Sequence, residues 1–224
     1  MKLTVLGKYG PYASAGGATS SHLVCGNSDK IVLDFGSGAL SRLLAVADIE
    51  SVSAIVLTHL HYDHISDLYT LSYMLDSRKK KLDLIMPCDG SLAEQSLKAL
   101  SSFNIISLGG EMKVGEFTLK FTKLRHAVTS YGISVSAGGK TLFYSGDTEY
   151  CPELLKAASG ADLLLLDCGR PDTAVSLNMS LGDGERLAET LHTPAIITHI
   201  NPAIEYAVKS KYVCLAEEMK TYEI

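Results

Sequence analysis

Cysteine and proline are scarce in this 224-residue chain and long hydrophobic runs are missing, and each shortage excludes a class of protein. The five cysteines, Cys25, Cys88, Cys151, Cys168 and Cys214, are scattered, odd in number and never spaced as C-x-x-C. Neither a disulfide framework nor a thiolate zinc knuckle fits that pattern, so most of them are expected to be small buried apolar residues. The run Leu163 to Leu166 is closed off by Asp162 and Asp167, far short of the roughly 18 uncharged apolar residues of a membrane span. At the N-terminus, Lys2 is followed by four uncharged residues and then Gly7. This lacks the apolar region of a secretory signal, so a cytoplasmic location is expected, with no membrane partner. Positive charge is in deficit as well. Twenty Lys and Arg stand against twenty-five Asp and Glu, a net charge of -5, which gives no bulk attraction for nucleic acid or an anionic surface. The basic run Arg78 to Lys81 reads as a solvated loop. With six prolines and no Ser-rich or low-complexity stretch, no linker divides the chain, and a single domain over residues 1–224 is expected.

What is present is material for a core: 46% of the residues are hydrophobic and 20% charged. Short runs rich in Val, Ile and Leu read as strands at Leu3 to Leu6, Ile31 to Asp34, Ala54 to Leu57 and Leu84 to Met86. Phe117 to Leu124, Gly132 to Val135, Thr141 to Tyr144, Asp162 to Asp167 and Ala195 to Thr198 extend the series, with Ala137 to Lys140 as a hairpin turn. Helical spacing occurs over Ile65 to Ser77, Ser91 to Ser102 and Leu181 to Leu191, and Pro152 suits the first turn of a short helix through Ala158. The pattern predicts a mixed α/β fold in which strands outnumber helices.

Chemistry concentrates at Thr58-His59-Leu60-His61-Tyr62-Asp63-His64, which puts three of the seven histidines within six residues. In an extended segment side chains alternate, so His59 and His61 share a side and can share a metal ion. Asp63 and His64, one step into the following turn, point elsewhere and can serve a second ion. Imidazole and carboxylate without thiolate suit zinc, with manganese or iron as alternatives. Two ions need more than four ligands, and further candidates stand at strand ends: His126, Asp147 in Ser145-Gly146-Asp147-Thr148, and His199. A carboxylate at Asp147 can bridge, and Gly146 permits the tight turn that presents it.

On these residues the sequence resembles the metallo-β-lactamase superfamily over nearly its whole length. The resemblance implies a four-layer αββα sandwich and two divalent metal ions. By the same likeness His59, His61 and His126 would hold the first ion, Asp63, His64 and His199 the second, and Asp147 would bridge. The segments His126 to Ile133, Lys140 to Thr148, Ala15 to Ser21 and Leu33 to Gly38 are similar to the ribonuclease Z and cyclic-phosphodiesterase branch. Asp147 argues against a true β-lactamase. Glyoxalase II would need a further domain, whereas 25 residues follow His199, and flavodiiron proteins place Glu where His61 stands.

Two departures separate the chain from ribonuclease Z itself. That family projects a long arm to grip tRNA, often between the segments holding the last ligands, yet 20 residues separate His126 from Asp147. A ribonuclease Z histidine would fall where Asn178 stands in Leu177-Asn178-Met179-Ser180, and an amide cannot give a proton as imidazolium does. The resemblance therefore implies a binuclear hydrolase that presents a metal-bridging hydroxide to a small or cyclic phosphodiester or short nucleic acid. Carboxyl esters, lactones or thioesters are the alternative substrates, and a noncatalytic metal-binding protein is the third reading. Asp63 is the expected proton acceptor, and Asn178, Ser20 and Tyr131 are candidates for orienting substrate oxygens. Relatives of this kind are often homodimers. Of the remaining polar residues, His22 and His192 read as surface or hydrogen-bonded histidines and Tyr62 as a packing residue. Asp34 reads as a turn stabiliser beside the site, and Arg170 either as a surface partner of Asp172, the favoured reading, or as a contact for a substrate phosphate.

Overall fold

The computed structural model describes residues 1–172 and 177–224. Two seven-stranded sheets are built on one plan, four antiparallel strands continued by three parallel ones. In the first, β1 (Lys2–Gly7), β2 (Ser21–Cys25) and β3 (Lys30–Phe35) form an antiparallel meander, with β14 (Thr221–Glu223) beside β1. Parallel pairing then runs from β3 through β4 (Ala54–Val56) and β5 (Leu82–Met86) to β6 (Phe103–Ser107). The second sheet begins with β7 (Glu111–Val114), β8 (Phe117–Leu124), β9 (Ser130–Ala137) and β10 (Lys140–Tyr144), all antiparallel. It continues in parallel through β11 (Leu163–Asp167) and β12 (Ala195–Thr198) to β13 (Val213–Leu215). The hairpin joining β9 and β10 turns on Gly138 and Gly139, both at positive φ (59° and 77°), as a two-residue turn matched to strand twist requires.

Three apolar layers follow from strand alternation. Residues such as Val5, Leu33, Val56, Phe117, Val135 and Leu165 face inward from both sheets and fill the space between them. The opposite side chains of the first sheet, among them Val32, Ile55 and Leu84, meet helices α1 (Ala39–Val46), α2 (Tyr62–Arg78) and α3 (Leu92–Lys98). Those of the second, Phe143, Leu164 and Ile197, meet α4 (Pro152–Ala158) and α5 (Leu181–Leu191). The expected αββα sandwich is the fold observed.

Local chemistry sets the helix boundaries. Ser180 caps α5 in a reciprocal box with Asp183, and Ser91 accepts from Glu94 N–H at the start of α3, each satisfying a free amide of a first turn. Helix α2 begins earlier than its apolar spacing predicts. His61 is its N-cap, so Asp63 and His64 sit in the first turn, where a carboxylate meets the positive end of the helix dipole. Helix α3 is shorter than the predicted 91–102 span, ending at Lys98.

Several side chains depart from expectation. Among the cysteines Cys151 and Cys168 are buried, whereas Cys88 and Cys214 are exposed and Cys25 is intermediate; all five are free thiols. Tyr62 projects outward from the first turn of α2, 74% exposed, instead of packing. Within the described residues no helix is long and apolar enough to cross a membrane. Leu165 lies in the inter-sheet layer and is fully buried, whereas Leu92 is 80% exposed. Leu165→Ala is accordingly expected to cost about 2–5 kcal/mol in urea unfolding, and Leu92→Ala under about 0.5 kcal/mol.

Candidate metal centre

Every polar residue predicted for metal chemistry lies just past the carboxyl end of a strand, the edge at which open α/β sheets present ligands. The loop after β4 carries His59 and His61, the first turn of α2 carries Asp63 and His64, and β8, β10 and β12 are followed by His126, Asp147 and His199. His59 and His61 lie in that loop and not in the strand, yet their rings converge, with His59 Nε2 3.0 Å from His61 Nδ1. His126 Nε2 comes within 3.2 Å of the same His61 nitrogen.

Three groups of possible ligand atoms result among the described residues, two of them separate and the third, Asp147, Asp167 and His199, sharing a member with each. In one of the separate two, His59, His61, His126 and Asp147 offer atoms all within 4.8 Å of one another; in the other, Asp63, His64 and His199 do so. Asp147 lies between them. Its Oδ2 is 3.8 Å from both His59 Nε2 and His126 Nε2, and 3.3 Å from His199 Nε2, while its Oδ1 is 3.2 Å from His64 Nε2. The turn that presents it needs Gly146, at φ 52°, where a Cβ would fall 2.7 Å from Thr58.

Outer hydrogen bonds decide which nitrogen of each ring faces inward. Asp34, fully buried at the end of β3, accepts from Thr58 N–H and Thr58 Oγ1, from His64 Nδ1 and from Tyr144 OH. Because the Thr58 hydroxyl gives its hydrogen to Asp34, it accepts from His59 Nδ1 at 3.0 Å. His126 Nδ1 donates to the Leu177 carbonyl at 3.0 Å. Asp167 Oδ1 lies 3.0 Å from His199 Nδ1 as an ion-pair contact. These bonds place the Nδ1 protons of His59, His64 and His126 outward and turn Nε2 of each ring to the interior, the orientation a metal-binding histidine requires.

The fit to cations is visible in what is left over. His64 Nε2 and Asp147 Oδ1 are buried and, although 3.2 Å apart as an ion-pair contact, meet in a geometry that completes no hydrogen bond, a costly state unless another group completes them. The charges agree. Burial lowers the His59 imidazole well below its ordinary range, and His64 beside it adds to the effect. Burial also disfavours charge on His64 and His199, but the surrounding carboxylates, Asp147 first, outweigh it and raise both well above the ordinary value. Asp147 is held well below the ordinary carboxylate range, its burial overcome by His199, His64 and His59. Without metal, protons on His64 and His199 hold the carboxylates together, and cations would replace them.

His199 is confined on both sides by glycine. A Cβ at Gly10 would fall 2.1 Å from His199 Nε2, and one at Gly169 2.6 Å from its Nδ1. The cleft above the cluster has a volume of about 310 Å³ and is lined by Pro11, Arg170 and Asn178 together with His61, Asp63 and His199.

The structure places the other candidates elsewhere or in other roles. Asn178 lines the cleft, but its Nδ2 donates to Asp147 Oδ2 (3.2 Å) and Asp167 Oδ2 (2.9 Å). An amide nitrogen has two hydrogens, so both are directed to carboxylates rather than to a substrate. Ser20 is fully buried and Tyr131 packs beside the inter-sheet core, neither of them lining the cleft. Arg170 hydrogen-bonds Asp183, while Asp172, the expected partner, lies within reach of its charge and accepts from Gly182 N–H. His22 is neither at the surface nor hydrogen-bonded. It is fully buried, both ring nitrogens lack partners, and its edge meets Tyr144 with centroids 5.1 Å apart. Burial pushes its imidazole down to about 3, so it is neutral. His192 is peripheral, at the C-cap of α5. Sequence reasoning missed Asp167 and Thr58. The signal for Asp167 was its place at the end of an apolar strand, paired in register with Thr198 beside His199.

Residues 30–200 match the family described as the beta-lactamase superfamily domain. The chain belongs to the metallo-β-lactamase superfamily. It is 30% identical over 212 residues to a probable metallo-hydrolase, YhfI, of Bacillus subtilis (strain 168), covering 89% of this chain and 87% of that protein. It is 26% identical over 205 residues to a ribonuclease Z of Mycobacterium bovis, covering 79% and 73% respectively. The crystal structure of Bacillus subtilis YhfI, a metallo-beta-lactamase fold protein, superposes with a TM-score of 0.89 at 25% identity over 99% of both chains. Human short-form tRNase Z shares the fold, with a TM-score of 0.80 at 19% identity over 100% of this chain and 99% of that one. As a member of the superfamily this protein is a metal-dependent hydrolase.

Two outcomes follow. Metal uptake must displace protons from His64 and His199, so affinity is expected to fall as pH is lowered and proton release to appear in calorimetry run in buffers of different ionisation enthalpy. Buffer-independent heats would contradict this. Gly10→Ala is expected to weaken metal binding at the His199 side of the centre while leaving the other cluster loaded, as read by metal content after dialysis.

Proposed function

We propose that this protein is a binuclear phosphodiesterase acting on a small or cyclic phosphodiester, or on a short nucleic acid, within a single domain spanning the chain. The observation that carries the reading is Asp147 standing between two clusters of inward-facing donors under a small cleft. Its volume lies at the low end of ligand sites, which run from about 300 to 1,000 Å³, and favours a compact substrate. The ribonuclease Z relative supports phosphodiester chemistry.

In this reading His59, His61 and His126 would hold one ion, Asp63, His64 and His199 would hold the other, and Asp147 would serve both. Imidazole and carboxylate donors suit zinc, with manganese or iron also compatible. Divalent ions bound by these residues would supply a water of lowered pKa and polarise a phosphoryl oxygen. The chain's own residues do the rest. Burial raises the Asp63 carboxyl, but His64 and His199 outweigh it and leave it below the ordinary range, so it is ionised and able to take a proton. Its Oδ2, 3.1 Å from His199 Nε2, keeps it at the floor of the cleft. Asn178 and Asp34 hold carboxylate and imidazole in register, and Asp34, out of reach of the cleft, acts only through its partners.

A second reading, hydrolysis of carboxyl esters, lactones or thioesters at the same site, draws on one observation. The Arg170 guanidinium, on the cleft wall, is already bound to Asp183, which reduces its charge toward an anionic substrate.

Hydrolysis of bis(p-nitrophenyl) phosphate by the zinc- or manganese-loaded protein tests the choice. Wild type is expected to turn over and Asp63→Asn to lose at least about 100-fold in kcat, a typical general-base contribution, with a milder loss in Asn178→Ala. Two bound metals without turnover of the diester, but with turnover of a carboxyl ester or lactone, would establish the second reading.

A further inference from the structure

Residues 177 and 178, shortly ahead of α5, reach the first cluster directly and the second through Asp167, which faces His199. Leu177 offers its carbonyl to His126 Nδ1, and Asn178 gives its amide hydrogens to Asp147 and Asp167. Leu177 and Asn178 lie outside any helix or strand, so neither has a ladder to fix its position. What fixes them is Arg170. Its backbone N–H bonds the Met179 carbonyl at 3.2 Å, and its Nε donates to the Asn178 carbonyl at 2.8 Å. One terminal nitrogen reaches the Pro171 carbonyl at 3.2 Å and the other Asp183 Oδ2 at 2.5 Å. Asp183 is itself held in place as the N3 residue of the α5 capping box. The guanidinium therefore ties the Asn178 backbone to the first turn of a helix, in a fork geometry that lysine cannot reproduce.

We propose that Arg170 is a positioning residue of the metal centre: it holds residues 177 and 178 so that one orients His126 and the other Asp147. The proposal rests on the ligand assignment above but not on the nature of the substrate. The effect of Arg170 passes to the site through Leu177 and Asn178, whose backbone it holds and whose carbonyl and amide meet His126, Asp147 and Asp167. Outer partners of this kind typically change metal affinity or activity by about 10–100-fold when removed.

The test compares wild type, Arg170→Lys and Arg170→Ala, each confirmed folded by circular dichroism. Cobalt binding is titrated against a competing chelator, with the ligand-field spectrum recorded. Steady-state kinetics use an anionic diester, bis(p-nitrophenyl) phosphate, and a neutral ester, p-nitrophenyl acetate. A positioning role predicts that Arg170→Ala weakens the affinity for one cobalt equivalent by about 10–100-fold and alters its spectrum. It also predicts that kcat falls on every substrate the wild type turns over, with KM little changed. Arg170→Lys, which keeps the charge but loses the fork, should be nearly as impaired. Wild-type cobalt affinity and spectrum in Arg170→Ala would overturn the proposal. If that were joined by a raised KM for the diester alone, Arg170 would be a substrate-binding cation. Should Arg170→Ala fail to fold, Arg170→Lys decides: cobalt binding and kcat like wild type would overturn the proposal, and the paired loss would sustain it. Because cobalt binding needs no substrate, an error in the phosphodiesterase reading leaves this readout intact.

Discussion

A single buried carboxylate, Asp34, ties the two sheets together at the edge where the chemistry is assembled. It leaves β3 of the first sheet in the left-handed region, φ 56°. From there it accepts from Thr58 and His64 on its own side and from Tyr144 OH of the second sheet, at 2.7 Å. A carboxylate without exposed surface is tolerable only when its oxygens are fully bonded, and these donors meet that condition. The same bonds fix the protons of His64 and, through the Thr58 hydroxyl, of His59. The requirement that satisfies the buried charge thus also aims the lone pairs of two ring nitrogens into the centre.

The second sheet solves the same problem with different residues. Asp167 at the end of β11 faces His199, and Asn178 bridges Asp167 to Asp147. Since β10, β11 and β12 are parallel neighbours, their carboxyl ends bring Asp147, Asp167 and His199 side by side with little help from long loops. The loops contribute close approach instead. Gly10 and Gly169 let backbone lie against the faces of His199, where any side chain would collide with the ring. Rigid strands set the positions, hydrogen bonds set the protons, and glycines set the clearance.

Much of this was legible in the sequence because it is local. The clustering of His59, His61, Asp63 and His64 after an apolar strand, and the polar residues at later strand ends, need only a period of two and a turn to be read. What escaped depends on distant partners. Strands β7 and β14 have mixed exposure and are short, and they exist because β8 and β1 offer them an edge; no local pattern marks such pairing. Helix α1 buries only Ala39 and Leu43, too few apolar contacts to declare a face. The hydrogen bond of Arg170 to Asp183 is decided by the capping box of α5, and the burial of His22 by the second sheet lying over it.

The central claim is that Asp147 stands between two cation positions, and anomalous diffraction at the zinc edge from crystals of the zinc-loaded protein tests it most directly. The account predicts two peaks flanking the Asp147 carboxylate, roughly 3.5–4 Å apart, one beside His59, His61 and His126 and the other beside Asp63, His64 and His199. A single peak, or zinc bound away from Asp147, would contradict it.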